Sequence, residues 1–280
     1  MAIESPKTQA EWAPLSWFKS QLVDQSAAAY FGHQHNGYQR FRHARLAKML
    51  DSVAGTMARG AMLDVGCATG ALTERIRQRY GFARAVGMDF VSEVIEMGRI
   101  TYPDIEFQEA TLPDLPFGNA EFDLVVASEV LYYLTPSAQE QALQALARLL
   151  KPGGYLLVGA ALGGAYFTPE GARALLARQF ELVMEDDLRM HAYHAMVSPF
   201  YYANRLNSLL ASDAAPGSEA MRARYQRLKP VLGIFPFRQL VRGLALLGRP
   251  VLAGHWLPAV ANALTALGRR SNIALLGRRR

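Results

Sequence analysis

The sequence predicts an α/β fold, a parallel β-sheet covered by helices on both faces. From Ala61 onward, short apolar runs alternate with helical stretches, and strand, helix, strand, repeated, is the pattern of a doubly covered parallel sheet. Turn residues fall between these segments, most clearly at Lys151-Pro152-Gly153-Gly154. Composition agrees: 280 residues with 51% hydrophobic and 19% charged side chains bury a full core and exclude disorder as the main state.

Ala61 to Val65 reads as the first buried strand and Leu72 to Tyr80 as the helix after it. Ala85 to Asp89 is the second strand, Val91 to Arg99 the second helix and Ile105 to Gln108 the third strand. Phe122 to Ser128 is apolar and β-branched enough for a fourth, Ser137 to Leu150 is helical, and Tyr155 to Ala160 makes a fifth. Thr168 to Arg178 reads as a helix, Phe180 to Met184 as a sixth strand, and Ser271 to Gly277 as a closing strand. Residues 12 to 50 look helical and rich in aromatics and histidine; residues 190 to 268 look helical and are broken by six prolines, among them Pro236, Pro250 and Pro258. The expected division is a helical N-terminal cap at 1–50, a core at 51–189, a basic helical lid at 190–268, and a closing strand with a basic tail at 269–280.

Charge is unevenly spread. Residues 1–188 carry 16 Lys+Arg and 22 Asp+Glu, a net of −6, whereas residues 189–280 carry 14 and 2, a net of +12. The basic region suits an anionic partner such as a membrane surface or an acidic carrier protein. Within it, Phe237, Leu240, Val241, Leu244, Leu247 and Val251 recur at helical spacing, with Arg238, Arg242 and Arg249 on another face, which is a basic amphipathic helix. A lone cysteine, Cys67, excludes a disulfide scaffold and multi-cysteine zinc modules. No basic region followed by an apolar stretch opens the chain, so a cytoplasmic protein is expected, with peripheral attachment to the inner membrane surface as the alternative.

The sharpest motif is Leu63-Asp64-Val65-Gly66-Cys67-Ala68-Thr69-Gly70-Ala71-Leu72, between the first strand and the first core helix. Its glycines permit a tight turn and close approach of a ligand, and the helix that follows offers free N–H groups. Asp89, at the end of the second strand, stands where a carboxylate accepts hydrogen bonds from ribose hydroxyls.

These residues resemble the class I S-adenosylmethionine-dependent methyltransferases. Asp64 to Gly70 resembles that family's first motif, with Ala68 where glycine is commoner, and Val86-Gly87-Met88-Asp89 resembles its ribose-binding strand end. Leu115-Pro116-Phe117 with Glu121 to Val126, and Leu149 to Gly154, resemble the approaches to strands four and five. The resemblance implies a Rossmann-like sheet of seven strands, the last antiparallel, with helical additions before the first strand and before the last. It implies S-adenosyl-L-methionine as donor and S-adenosyl-L-homocysteine as product. Asp64, Gly66, Cys67, Ala68 and Gly70 would form the donor loop, Asp89 would bind the ribose and Phe90 would flank the adenine. Thr111 stands where an aspartate usually holds the adenine amino group, beside the Leu112 amide, and Glu129 stands where the chain turns toward the methionine end. The segments Gly66 to Gly70, Leu72-Thr73-Glu74 and Ser128 to Leu134 are most similar to the nodulation-protein-S-like group, whose best-known member N-methylates an amino-sugar oligosaccharide.

Methyl transfer from a sulfonium depends mainly on alignment and exclusion of water, so little acid-base machinery is obligatory. His33 and Tyr132 are the candidate catalytic residues, with His35, Tyr30, Tyr38, Tyr133, His191 and His194 as further groups near the expected cleft. His191 and His194 lack an acidic partner nearby in sequence, so no metal site is expected. Ser128-Glu129-Val130-Leu131 replaces the Asn/Asp-Pro-Pro-aromatic segment by which base-methylating enzymes grip a flipped base, which disfavours nucleic acid as substrate. The expected activity is N- or O-methylation of a small or glycosylated metabolite. Lipid or lipid-linked sugar methylation at a membrane surface and a non-catalytic scaffold are the alternatives; the intact glycines and Asp89 argue against the scaffold.

Overall fold

A computed structural model describes residues 37–162, 168–188, 196–197, 199–200, 203, 235–254, 256–264 and 271–280. The chain divides into two compact units, one of Met1–Lys19, Arg42–Arg189 and Arg269–Arg280, the other of Ser20–Phe41 and Met190–Gly268.

The first unit is built on one seven-stranded sheet: β1 (Ala61–Val65), β2 (Arg84–Asp89), β3 (Glu106–Glu109), β4 (Phe122–Ser128), β5 (Leu150–Ala161), β6 (Phe180–Leu188) and β7 (Asn272–Arg279). Their order across the sheet is β3-β2-β1-β4-β5-β7-β6, and β7 runs antiparallel to both neighbours. This is the expected seven-stranded Rossmann-like sheet. Connecting β1 leftward through β2 and rightward to β4 reverses the strand order between β1 and β4, and a crevice opens beyond the carboxyl ends of strands at such a point.

Side chains alternate between two cores. Leu63, Val65, Val86, Val125, Leu156 and Leu275 meet α4 (Pro136–Leu149) and α5 (Pro169–Ala177) on one face. Met62, Leu124, Val126, Leu157 and Leu276 meet α2 (Ala71–Tyr80), α3 (Ser92–Thr101) and the end of α1 (Gly37–Met49) on the other. With both faces covered, all seven residues of β4 are buried, and each large apolar side chain there contributes about 1.5–3 kcal/mol. Thr135 and Thr168 accept hydrogen bonds from the first turns of α4 and α5, and each helix begins with proline, which is why both start where they do.

Three elements differ from expectation. β5 begins at Leu150, so Lys151 to Gly154 lies inside the strand: the β4–β5 register passes from Phe122↔Leu150 to Leu124↔Tyr155, and the extra residues form a bulge with Gly153 at φ 75°. β6 extends to Leu188, past the expected end at Met184, because Glu185 and Asp186 pair with Arg173 and Arg45. In the second unit α6 (Phe235–Ala253) and α7 (Trp256–Leu264) are helical. On α6 the buried line is Val241, Ala245 and Gly248, whereas Leu240 and Leu247, expected on the packed face, are 58% and 66% exposed. Gly248 is where Phe200 packs, so the absence of a side chain helps set that line. No helix among the described residues is long and apolar enough to cross a membrane. The helical readings for residues 12–36 and most of 190–234 lie outside the described residues, as do His33, His35, Tyr30, His191 and His194.

Candidate functional site

The glycine loop leaves the end of β1 at the point where the strand order reverses. The Gly66 and Cys67 amides both donate to Met88 O of the neighbouring strand, at 2.8 and 2.9 Å, and the Gly70 amide closes the turn on Cys67 O. Three successive bends demand left-handed backbone: Gly66 at φ 71°, Ala68 at 49° and Gly70 at 85°. At Gly66 a β-carbon would sit 2.3 Å from Val130 Cγ2, so glycine is required there for space as well as for conformation. Ala68 adopts the same hand with a side chain, which explains on steric grounds why the first motif of the resembled family favours glycine at this position.

Asp89 fastens the loop. Its Oδ2 accepts from the Ala68 amide at 3.0 Å and its Oδ1 from the Val91 amide at 3.1 Å, so one carboxylate spans the donor loop and the start of α3. It is buried, and burial raises its pKa above the usual carboxylate value against the pull of these amides. Phe90 is half-buried beside it. The Ala110 amide reaches Asp89 O, which brings the end of β3 and the following Thr111 and Leu112 to the same rim. Thr111 is exposed and its hydroxyl donates to Leu112 O at 3.4 Å, leaving the oxygen lone pairs available as acceptors.

Beneath the loop, Asp64 is fully enclosed. Thr73 of α2 donates to its Oδ2 at 2.6 Å, and burial, reinforced by the Asp89 charge, raises its pKa to about 7. Cys67 is buried beside these acids, and burial first, then their charges, hold its thiol protonated; it is no nucleophile at neutral pH.

A second polar group lies past β4. Glu129 turns the chain at φ 62°, and Arg42 of α1 reaches it: Arg42 Nη1 is 2.9 Å from Glu129 Oε1 and donates to Ser128 Oγ at 2.9 Å. The Tyr132 hydroxyl donates to Glu129 Oε2 at 3.0 Å and lies 3.2 Å from that of Tyr133. Burial, with Glu129 next, pushes the Tyr132 hydroxyl well above its ordinary pKa, so it serves as a hydrogen-bond donor at neutral pH. Arg42 is the residue that sequence reading missed. It precedes Leu46 by four positions and Met49 by seven, on the face of α1 that enters the core, and a charge in register with apolar positions was the available signal.

The site therefore joins Asp64, the Gly66–Gly70 loop, Asp89, Phe90, Thr111, Leu112 and Glu129 around the carboxyl ends of β1, β2 and β4. One buried oxygen in it, Thr69 Oγ1, has no hydrogen-bond partner, and such an atom is costly unless a ligand group meets it. An elongated ligand with hydroxyls at Asp89 and polar, cationic groups near Glu129 fits this donor set.

Residues 62–154 match a family described as a methyltransferase domain. Nodulation protein S of Rhizobium tropici is 36% identical over 129 residues, covering 45% of this chain and 52% of that protein. The O-methyltransferase cnsE of Penicillium expansum is 32% identical over 136 residues, covering 46% and 48%. The chain spans about half the length of the curated relatives it matches. Among solved structures, the N-methyltransferase NodS from Bradyrhizobium japonicum WM9 in complex with S-adenosyl-L-homocysteine superimposes with a TM-score of 0.53 at 24% identity, over 62% of this chain and 90% of that one, a likeness of fold.

Proposed function

We propose, on the premise that residues 62–154 are a methyltransferase domain of class I fold, that this chain is an S-adenosyl-L-methionine-dependent methyltransferase acting on an amine or hydroxyl of a small or glycosylated metabolite. The observation that carries the reading is Asp89, whose two oxygens hold the Ala68 amide of the loop and the Val91 amide at the start of α3 and keep further lone pairs for ribose hydroxyls. S-adenosyl-L-methionine, when bound, supplies an activated methyl group on a sulfonium. The chain's own part is to bind and align. The Gly66–Gly70 backbone approaches the ligand closely, Phe90, Thr111 and the Leu112 amide meet the adenine, and Glu129, oriented by Arg42 and Tyr132, meets the cationic methionine end. An amine acceptor that arrives unprotonated needs no base, and Tyr132 stays protonated at neutral pH; a hydroxyl acceptor needs a base from elsewhere, the role proposed for His33. The names of the N-methyltransferase and O-methyltransferase relatives support these two acceptor chemistries equally.

Titration calorimetry of S-adenosyl-L-methionine and S-adenosyl-L-homocysteine into the full chain tests the reading, with Asp89→Ala as control. Binding that disappears in the variant supports it, and methyl transfer is then followed across amine and hydroxyl acceptors. Absence of binding by the wild type, with and without acceptors, refutes it.

A second reading follows from α6. Leu240, Leu246 and Leu247 stand exposed on the same helix as Arg242, the arrangement by which an interfacial helix meets anionic lipid, and it would direct methylation to a lipid or lipid-linked sugar. Co-sedimentation with anionic vesicles, abolished by Arg238→Glu with Arg242→Glu, separates this from an enzyme of soluble metabolites.

A further inference from the structure

The first unit carries a cleft of about 430 Å³ at the end of the sheet opposite the glycine loop. It is lined by the turn before β4 (Asn119), the last turns of α4 (Gln144, Arg148), the α5–β6 turn (Arg178), the end of β7 (Arg279) and the residue after it (Arg280). The cleft holds four guanidinium groups, three side-chain amides and no side-chain carboxylate in its lining. Only Arg178 has an acidic partner, Glu140, an exposed pair of little energetic weight. Arg148 is held by neutral acceptors, Asn119 Oδ1 at 2.8 Å and Phe117 O at 3.2 Å, and Arg279 by Leu150 O. Among the described residues none of Arg148, Arg279 and Arg280 forms an ion pair, so their charges are uncompensated while two of the forks are already oriented. Positions at the C-terminal ends of α4 and α5, where a cation offsets the helix dipole, account for Arg148 and Arg178; Arg279 and Arg280 come from the end of β7 and converge on the same space.

We propose that this cleft is a binding site for a diphosphate group of a small-molecule ligand, separate from the donor site. Guanidinium forks match phosphate oxygens in pairs, and two linked phosphates engage more of the converging forks than a single phosphate does. The volume is that of a small-molecule site, larger than one phosphate fills. The inference stands on the cleft alone and does not depend on the methyltransferase reading.

The test is titration calorimetry of inorganic pyrophosphate into the full chain at about 0.15 M salt, where screening suppresses loose ion association. Wild type is expected to bind pyrophosphate at least about tenfold more tightly than inorganic phosphate. Gln144→Glu, which adds a negative charge to the cleft at an exposed position, is expected to weaken binding by about tenfold or more, and Arg148→Gln with Arg280→Gln to abolish it. Arg75→Gln, an exposed arginine of α2 outside the cleft, is expected to leave it unchanged. An ADP arm, counting only the binding that Arg148→Gln with Arg280→Gln removes, identifies the source: tighter binding than pyrophosphate assigns a nucleotide, equal binding a bare diphosphate. No pyrophosphate binding by wild type, equal affinity for phosphate, or equal weakening by Arg75→Gln overturns the proposal. Because Gln144→Glu removes no hydrogen bond of the fold, its result stands even if the double variant is unstable.

Discussion

Raising the pH through the range from about 4 to about 7 should destabilise this protein, and Asp64 is the reason. In the unfolded chain its carboxyl titrates at the ordinary value of 3.8; in the folded chain burial raises it to about 7. Between these values the native state holds a proton that the unfolded state has released, so unfolding releases it and stability falls as pH rises. A shift of about three units at about 1.4 kcal/mol each makes the full effect about 4 kcal/mol, an upper bound, absent below about pH 4 and complete above about pH 7. Asp64→Asn keeps an oxygen to accept from Thr73 and cannot ionise, so the variant should lack this slope. Urea unfolding of both proteins at about pH 5 and about pH 8 measures it: the variant should gain on the wild type by at least about 2 kcal/mol over that span. A stability difference that does not change with pH would show that Asp64 is ionised in the native state throughout and that its enclosure is compensated by groups other than Thr73. Asp89 contributes to the upward shift, so in Asp89→Asn the downturn, which still begins at about pH 4, should be smaller and complete at a lower pH.

Asp89→Ala should cost about 1–3 kcal/mol in denaturant unfolding by leaving the Ala68 and Val91 amides without their acceptor, besides losing donor binding; unchanged stability would mean water replaces the carboxylate. Ala68→Gly relieves a left-handed alanine, worth about 1–2 kcal/mol, against about 0.4–1 kcal/mol of added unfolded-state entropy, and should raise stability by about 0.5–1 kcal/mol in the same assay. Gly66→Ala drives a methyl onto Val130 and should destabilise by about 2–4 kcal/mol; adding Val130→Ala should recover part of the loss, and strict additivity of the two changes would refute the clash. Arg42→Leu strands Glu129 beside buried Ser128 and should cost about 2–3 kcal/mol, with Arg42→Leu plus Glu129→Gln recovering at least half in a double-mutant cycle.

The strands that position the site were legible because each is buried on both faces, and such a strand shows itself as an unbroken apolar run. β4 was readable to the residue for that reason. β5 was not: Lys151-Pro152-Gly153-Gly154 has the chemistry of a turn and does bend the chain, but the bend is a bulge inside the strand, a difference decided by pairing with β4 that no local pattern encodes. The edge strand β6 ran longer than its apolar part because Arg173 of the preceding helix and Arg45 of the distant α1 satisfy its acids. On α6 the apolar arc is wider than the face that packs, and a glycine chose the line of contact, so periodicity indicated a helix without indicating which leucines it leaves in water.

The donor loop was legible for a different reason, that backbone geometry constrains residue type: two of its three left-handed positions carry glycine, and the terminal acid of β2 follows at the expected distance. What stayed hidden were the side chains that act on that loop from elsewhere. Thr73 and Arg42 are ordinary helix residues in sequence, and each reaches a carboxylate at or just past a strand end, the buried Asp64 in one case and the half-buried Glu129 in the other. In both cases a polar residue occupies a position in line with the buried apolar residues of its helix, Thr73 next to Leu72 and ahead of Ile76, Arg42 ahead of Leu46. Burying either without a partner would cost more than an ordinary helix position can recover, so each implies an acceptor across the core. An acid at the end of a buried strand makes the converse demand, and matching the two sets, polar helix positions facing inward against acids at strand ends, recovers from sequence the pairs that orient this site.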